Sequence, residues 1–429
     1  MPNKIQMPPP LKAPKVALPK GGHQAATKRP ALLPEPKISM DKLVELSTRA
    51  EDMMSGLRGS LLAPDSKKTS PPISSTRLAA LCGVDKAHLA YRVTRNDLPK
   101  GQVTATGGRR EFTMEEAQSW TREYRAELMR PPGKRAITMA SSNFKGGSNK
   151  TTTAMVLAQG LALRGHKVLA IDCDPQGSLS TLFGLLPGAD IEENMTILPL
   201  CSGQEQDLRY AVRSTYWSGL DLIAAAPLLF DAEFYLPSQQ LKDPSARFWD
   251  VVNVGLEPLR EHYDIIVIDT PPSLSYVTIN ALFAADGLIV PIPPSALDYA
   301  SLAQFWSLFT DLGVSLSKRG GQQKDFDFVH VLLSNVETDR KSRDKSVSDS
   351  VVASVRRWVQ TVYGEYLLPV EIPKTAATTS KAADFGTVYD VQRNEISPRT
   401  YKRALDAYDR LVELVEASVV QAWANQVTR

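Results

Sequence analysis

Asn143-Phe144-Lys145-Gly146-Gly147-Ser148-Asn149-Lys150-Thr151-Thr152-Thr153 decides how this chain folds. The apolar run Ala136–Ser141 before it reads as a strand, and the segment after it, to Leu163, reads as a helix. A glycine-rich loop between strand and helix lets successive backbone N–H groups converge on phosphate oxygens at the positive end of the helix. Gly146, Gly147, Ser148, Asn149, Lys150, Thr151 and Thr152 are therefore the expected nucleotide cradle. Lys150 would reach the β- and γ-phosphates, and Thr151 would place its hydroxyl on Mg²⁺. Lys145 adds a cation five residues earlier, approaching the same phosphates from another direction.

Outward from the loop, short apolar strands alternate with helical lengths: Lys167–Ile171, Leu220–Ala224, Asp264–Ile268, Gly287–Ile292 and Phe328–Leu333. Strands that are apolar on both faces imply a parallel sheet covered on two sides. Two of them run into acids, at Asp172-Cys173-Asp174-Pro175-Gln176-Gly177 and at Asp269-Thr270-Pro271-Pro272. An acid at the carboxyl end of a parallel strand lies where such sheets bind ligands. A final helix is expected from Arg399 to about Val427.

Lys145-Gly146-Gly147, followed by Lys150-Thr151, resembles the deviant Walker A motif of the ATPases that include ParA partition proteins and MinD. The two aspartate segments resemble that family's A′ and Walker B motifs. Leu157–Asp172, Ser178–Gly184, Tyr216–Ile223, Phe385–Arg393 and Tyr401–Ala404 are similar to partition ATPases of low-copy replicons, particularly the RepA proteins of repABC replicons. The resemblance implies a P-loop NTPase using ATP/ADP and Mg²⁺. In it Asp172 acts on the metal side, Asp269 holds Mg²⁺ through water, Asp174 orients the attacking water and Asn335 reads adenine. Lys145 crosses the interface of a homodimer to serve the partner's nucleotide. It further implies that the ATP-bound dimer binds chromosomal DNA without sequence preference and that a ParB-type partner triggers hydrolysis and release. The sequence departs from the family at Asn149, where the family has Gly. Asn adopts left-handed backbone angles more readily than most residues, so the side chain bears on turnover more than on nucleotide binding.

The net charge of +3 conceals a separation. Residues 1–135 hold 24 Lys/Arg against 13 acids, or +11, and residues 136–429 hold 26 against 34, or −8. Residues 1–39 are read as a disordered basic tail, since residues 1–40 hold nine of the 30 prolines and no apolar period. A helix over 40–60 carries one apolar stripe, Leu43, Leu46, Ala50, Met53 and Leu57, for a dimer contact or for packing on its own domain. Residues 70–131 read as a winged helix-turn-helix: a helix after Pro72, a turn at Gly83-Val84, a second helix from Asp85, and a hairpin at Gly107-Gly108. Thr113 and Glu116 form a capping box opening a helix to about Met129. Arg77, Lys86, His88, Arg92, Arg109 and Arg110 are its expected DNA contacts, binding operator DNA and repressing the chain's own operon. Residues 135–429 are the expected ATPase domain.

Non-specific DNA is expected on Lys374, Arg399, Lys402 and Arg403, with the loop Arg340–Lys345 and Lys381 as further clusters. Three separated cysteines, no opening signal peptide and no long apolar run fit a reducing, cytoplasmic, nucleoid-associated setting without membrane contact. A MinD-like positioning ATPase is the competing expectation. Against it stand Asp406, Asp409, Glu413 and Glu416 in the last helix, which anionic lipid would repel. An iron–sulfur relative would need better-placed cysteines. An ATP-responsive repressor without a partition role shares every N-terminal feature.

Overall fold

The computed structural model describes residues 38–61, 68–104, 108–321, 323–337, 347–375, 386–391 and 397–426. The expected tail up to residue 37, the Gly107 hairpin tip, the 340–345 cluster and Lys381 lie outside the described residues. Among the described residues, those up to Leu57, which hold most of the first helix, form one unit and Arg58 onward a second. In the first, α1 (Met40–Leu61) presents Leu43, Leu46 and Met53 exposed, and Glu45 pairs with Lys42 and Arg49 along its surface.

The second unit opens with β1 (Ile73–Ser74), α2 (Ser75–Cys82), α3 (Lys86–Thr94), β2 (Gln102–Val103), β3 (Arg110–Phe112) and α4 (Met114–Tyr124). Each helix is capped by a side chain the sequence supplies. Ser74 accepts from the Arg77 amide and Asp85 from that of His88, while Thr113 and Glu116 complete a reciprocal capping box. Gly83 ends α2 at φ 67°, a left-handed angle that a side chain would resist. The strands pair antiparallel in the order β1-β3-β2, and β1 was not anticipated. Leu78, Leu89, Val93, Phe112 and Trp120 fill the space between, with the Trp120 indole donating to the Pro99 carbonyl at 2.8 Å. The helix expected to run to Met129 stops at Tyr124 and tightens into a single 3₁₀ turn, Ala126–Leu128.

The larger part alternates β4 (Ile137–Ser141), α5 (Lys150–Leu163), β5 (Val168–Asp172), α6 (Ser178–Leu182), α7 (Leu198–Ser202), β6 (Arg213–Ser214), β7 (Leu220–Ile223), α8 (Ala232–Lys242), α9 (Val251–Arg260) and β8 (Ile265–Asp269). It continues with α10 (Tyr276–Ala284), β9 (Gly287–Ile292), α11 (Ala296–Gly320), β10 (Phe328–Val336), α12 (Val347–Tyr363), β11 (Leu367–Pro373) and α13 (Pro398–Asn425). Eight strands form one sheet in the order β11-β10-β9-β4-β8-β5-β7-β6, parallel except for β6 at its edge. Side chains alternate between two cores. Ile137, Met139, Val168, Ala170, Ile265 and Val267 join one cluster with α5 and α13, whereas Ala140, Leu169, Ile171, Ile266 and Ile268 join another with α9, α10 and α11. The doubly covered parallel sheet expected from the sequence is thus the fold.

Asp406 and Glu413 of α13 are exposed, whereas its other two acids are engaged. Asp409 pairs with Arg77 at the start of α2, and Glu416, 3% exposed, meets Arg125, Arg164 and His166. α2 and α4 are therefore fastened to α13 by ion pairs, and part of the charge separation in the sequence is neutralised internally. Among the described residues no helix is long and apolar enough to cross a membrane.

Candidate nucleotide site

The strand order decides where the acids fall. β8 lies between β4 and β5, so Asp269 stands opposite Ser141 on one side and Asp172 on the other, at the carboxyl ends of all three strands. The loop leaving β4 passes directly over this point. Its shape is fixed by side chains that bond backbone. Asn143 accepts from the Lys145 amide at 3.0 Å, Ser141 donates to the Lys150 carbonyl at 3.0 Å, and Ser334 on β10 donates to the Ser148 carbonyl at 3.0 Å.

Gly147 (φ 74°) and Asn149 (φ 76°) both take the left-handed conformation. A Cβ built on Gly146 or Gly147 would meet nothing within 4 Å, so the glycines leave open space above the loop where a ligand's phosphates fit against backbone. Lys150, first residue of α5 and 6% exposed, arches back to donate from Nζ to the Lys145 carbonyl at 3.1 Å. Burial lowers its pKa, opposed by the charges of Asp269 and Asp174.

The acids divide into held and unheld. Asp172 accepts from the Asp174 amide at 3.1 Å and from both the amide and the hydroxyl of Ser180 at 2.8 Å. Burial nevertheless raises its pKa to about 6. Asp269 is fully buried, and neither carboxylate oxygen has a hydrogen-bond partner at bonding geometry. Burial first, and the charge of Asp172 second, push its pKa well up, while the neighbouring Thr151 hydroxyl and Lys150 pull the other way. Asp174 is half-buried and accepts from the Gln176 amide at 3.0 Å.

A buried, orphaned carboxylate beside a hydroxyl fits a hard divalent cation. Among the described residues no group of three or more His, Cys, Asp or Glu side chains could hold one alone. Asp269 beside Thr151 is the kind of donor set that suits Mg²⁺, which is held by one or two protein groups plus phosphates and water. Asn335, at φ 51°, donates to the Gly147 carbonyl at 3.3 Å and so lies at the loop rather than apart from it. Two residues of this neighbourhood escape a reading by motif: Ser180, which fixes Asp172, and Tyr408 on α13, whose hydroxyl accepts from Asn149 Nδ2 at 3.4 Å. The Asn149 side chain thus points towards α13.

Residues 135–319 match the AAA domain family. A candidate replication protein A from Rhizobium rhizogenes is 31% identical over 84% of this chain and 90% of its own length. The chromosome partitioning protein ParA of Caulobacter vibrioides is 32% identical over 59% of this chain and 87% of its own. The chain belongs to the ParA-type partition ATPase family. Its fold is shared by the ATP complex of a McdA variant from Cyanothece, which has a TM-score of 0.53 and 23% identity and covers 67% of this chain and 97% of that one.

The DNA contacts expected of this ParA-type chain differ in exposure. Lys86 and Arg109 are exposed, as are Arg399, Lys402 and Arg403 at the start of α13. Four others have partners within their own domain. Arg77 is turned onto Asp409, with Nη2 donating to Oδ1 at 2.6 Å. Arg92 pairs with Asp97 at 3.1 Å over the Tyr124 ring, and His88 Nε2 meets the Tyr124 hydroxyl at 2.9 Å. Arg110 is stapled to the Lys100 and Gly101 carbonyls. These side chains lie close to acids, carbonyls or rings of their own domain. Lys374 pairs with Glu337 at 3.0 Å on an exposed surface, where such a pair is weak.

Asp269→Asn removes a buried charge that the protein alone does not balance. The variant's melting temperature without nucleotide is expected to rise by about 2–4 °C at pH 7.5. The sign follows from the raised pKa: stability owed to this group is complete below the ordinary Asp value and is lost as pH rises through the elevated one. ATP turnover should fall to background. Thermal melting with and without Mg-ATP reads both effects.

Proposed function

We propose that this chain is a magnesium-dependent ATPase whose nucleotide state controls its dimerisation and its hold on DNA, and that it segregates the replicon encoding it. The observation that carries the reading is the convergence of Lys150, Thr151, Asp172 and the orphaned Asp269 beneath a loop with open space over Gly146 and Gly147. In this reading the loop amides and Lys150 bind the β- and γ-phosphates, and Asn335 lies beside the loop on the adenine side. Thr151, Asp172 and Asp269 hold Mg²⁺, which when bound offsets charge on the phosphates. Asp174 orients water for attack, and Lys145 of one subunit completes the site of the other. A site completed only on assembly ties hydrolysis to the dimer, which makes the protein a switch.

A ParB-type centromere-binding protein would trigger hydrolysis, and release followed by rebinding to nucleoid DNA would move the bound replicon. The assay that tests this is ATP turnover by the purified chain with Mg²⁺, DNA and that partner. Strong stimulation by the two together is expected, and turnover absent under every condition would leave a ligand-gated regulator instead.

The module from β1 to α4 would act as a winged helix-turn-helix on operator DNA, with α3 as the reading helix and Arg109 in the wing. Lys86→Ala with Arg109→Ala is expected to weaken operator binding about tenfold at moderate salt and to shallow the log-affinity against log-salt slope by about 1–2. ATP turnover without DNA should be unaffected. Fluorescence anisotropy across a salt series measures the slope. Arg399, Lys402 and Arg403, with Lys374, are the candidates for non-specific DNA.

A further inference from the structure

The helix that begins at the phosphate loop is clamped along its length by the last helix of the chain. At Gly160 a Cβ would come within 2.5 Å of Val412 Cγ2 and 3.0 Å of the Tyr389 hydroxyl, so α5 and α13 meet with no room for a side chain. Past the end of α5, Arg164 donates to the Asp409 carbonyl at 3.1 Å and to Glu416 at 3.0 Å. At its start Asn149 donates to Tyr408 at 3.4 Å. Tyr408 is itself completely buried, one turn from the Gly160 contact, and so offers a fixed acceptor rather than a mobile one.

Asn149 needs such an anchor. It is a left-handed residue in the loop, half-buried, and it carries a side chain where Gly146 and Gly147 carry none. Freed from α13, its amide could rotate into the space that the bare glycines leave for phosphate.

We propose that Tyr408 is a positioning residue for the phosphate loop: its hydroxyl holds the Asn149 amide out of the phosphate cradle and so lets a side chain occupy a glycine position. The inference rests on the ATP-site reading above. Burial pushes the phenol's pKa up to about 12, so the hydroxyl keeps its proton throughout the physiological range. The constraint links residues far apart in sequence and acts on affinity for the triphosphate, where the sequence alone points to turnover, and not on the reacting atoms.

The test is a two-by-two set: wild type, Tyr408→Phe, Asn149→Gly and the double variant, titrated with a fluorescent ATP analogue and Mg²⁺, with melting temperature measured for each. Tyr408→Phe is expected to weaken binding about three- to tenfold in the wild-type background and by less than about 1.5-fold in the Asn149→Gly background, because without the amide there is nothing left to hold. Equal weakening in both backgrounds, or none in either, overturns the proposal. So does a Tyr408→Phe chain that fails to fold while Asn149→Gly folds, since the hydroxyl would then serve the fold and not the loop. A wild-type chain that binds no analogue sinks the ATP-site reading itself, a result visible before any variant is compared.

Discussion

Lys145→Ala should lower stimulated ATP turnover by about 10³-fold while leaving ATP affinity within about threefold, the behaviour of a cation that acts on charge developing in transfer. The separation of effects follows from the loop. Lys145 contributes its backbone to its own subunit's site: its amide is held by Asn143 and its carbonyl receives Lys150 Nζ. Alanine keeps both bonds. Lys150→Ala differs, because it removes the buried ammonium that faces Asp269 and Asp174 and so should abolish nucleotide binding together with turnover. Equilibrium binding of a non-hydrolysable analogue alongside steady-state turnover distinguishes the two lysines. Equal losses of binding in both variants would place Lys145 in its own subunit's cradle.

The second large effect concerns stability. Glu416→Ala is expected to destabilise the chain by about 3–5 kcal/mol, the usual cost of stranding buried charge. Glu416 accepts from Arg164 at 3.0 Å, from Arg125 and from His166 at 2.9 Å, and all four side chains are largely buried. Burial alone would raise the acid's pKa, but the His166 hydrogen bond with the charges of Arg164 and Arg125 hold it at about 2. A depressed carboxylate stabilises above its unfolded value and ceases to do so as pH falls through the folded one. The gap between wild type and variant should therefore be full near pH 7 and close progressively between about pH 4.5 and 2. Urea denaturation at several pH values measures it, and a gap independent of pH would assign the loss to packing instead of charge.

Much of this architecture is legible in the sequence because it is local. The phosphate loop, the strands ending in Asp172 and Asp269, and the capping box at Thr113 and Glu116 each depend on residues a few positions apart. β11 is not legible for a physical reason. Leu367–Pro373 contains Pro369 and Pro373, which argue against a strand in the middle of a sheet, and the segment is in fact the edge strand beside β10, where a missing amide donor is tolerated. The β10 strand also outruns its apolar run through Ser334 and Asn335, whose side chains bond the loop carbonyls of Ser148 and Gly147. The pairs that fasten α13 could not be read at all. Arg77 with Asp409, Arg125 with Glu416 and Asn149 with Tyr408 join residues that only the completed sheet brings together. For this reason a basic residue such as Arg77, read as a DNA contact in the sequence, has an acid partner that only the fold reveals.

Mixing two inactive variants tests the shared site most directly. A Lys145→Ala subunit keeps its own Asp174, and an Asp174→Ala subunit still binds nucleotide and can lend its Lys145, so a mixed dimer contains one complete site. With random pairing of equal amounts, turnover should recover to about a quarter of the wild-type value, although each variant alone is near background. No recovery in the mixture, with both variants folded and wild type active under the same conditions, would contradict an ATPase completed across its dimer interface.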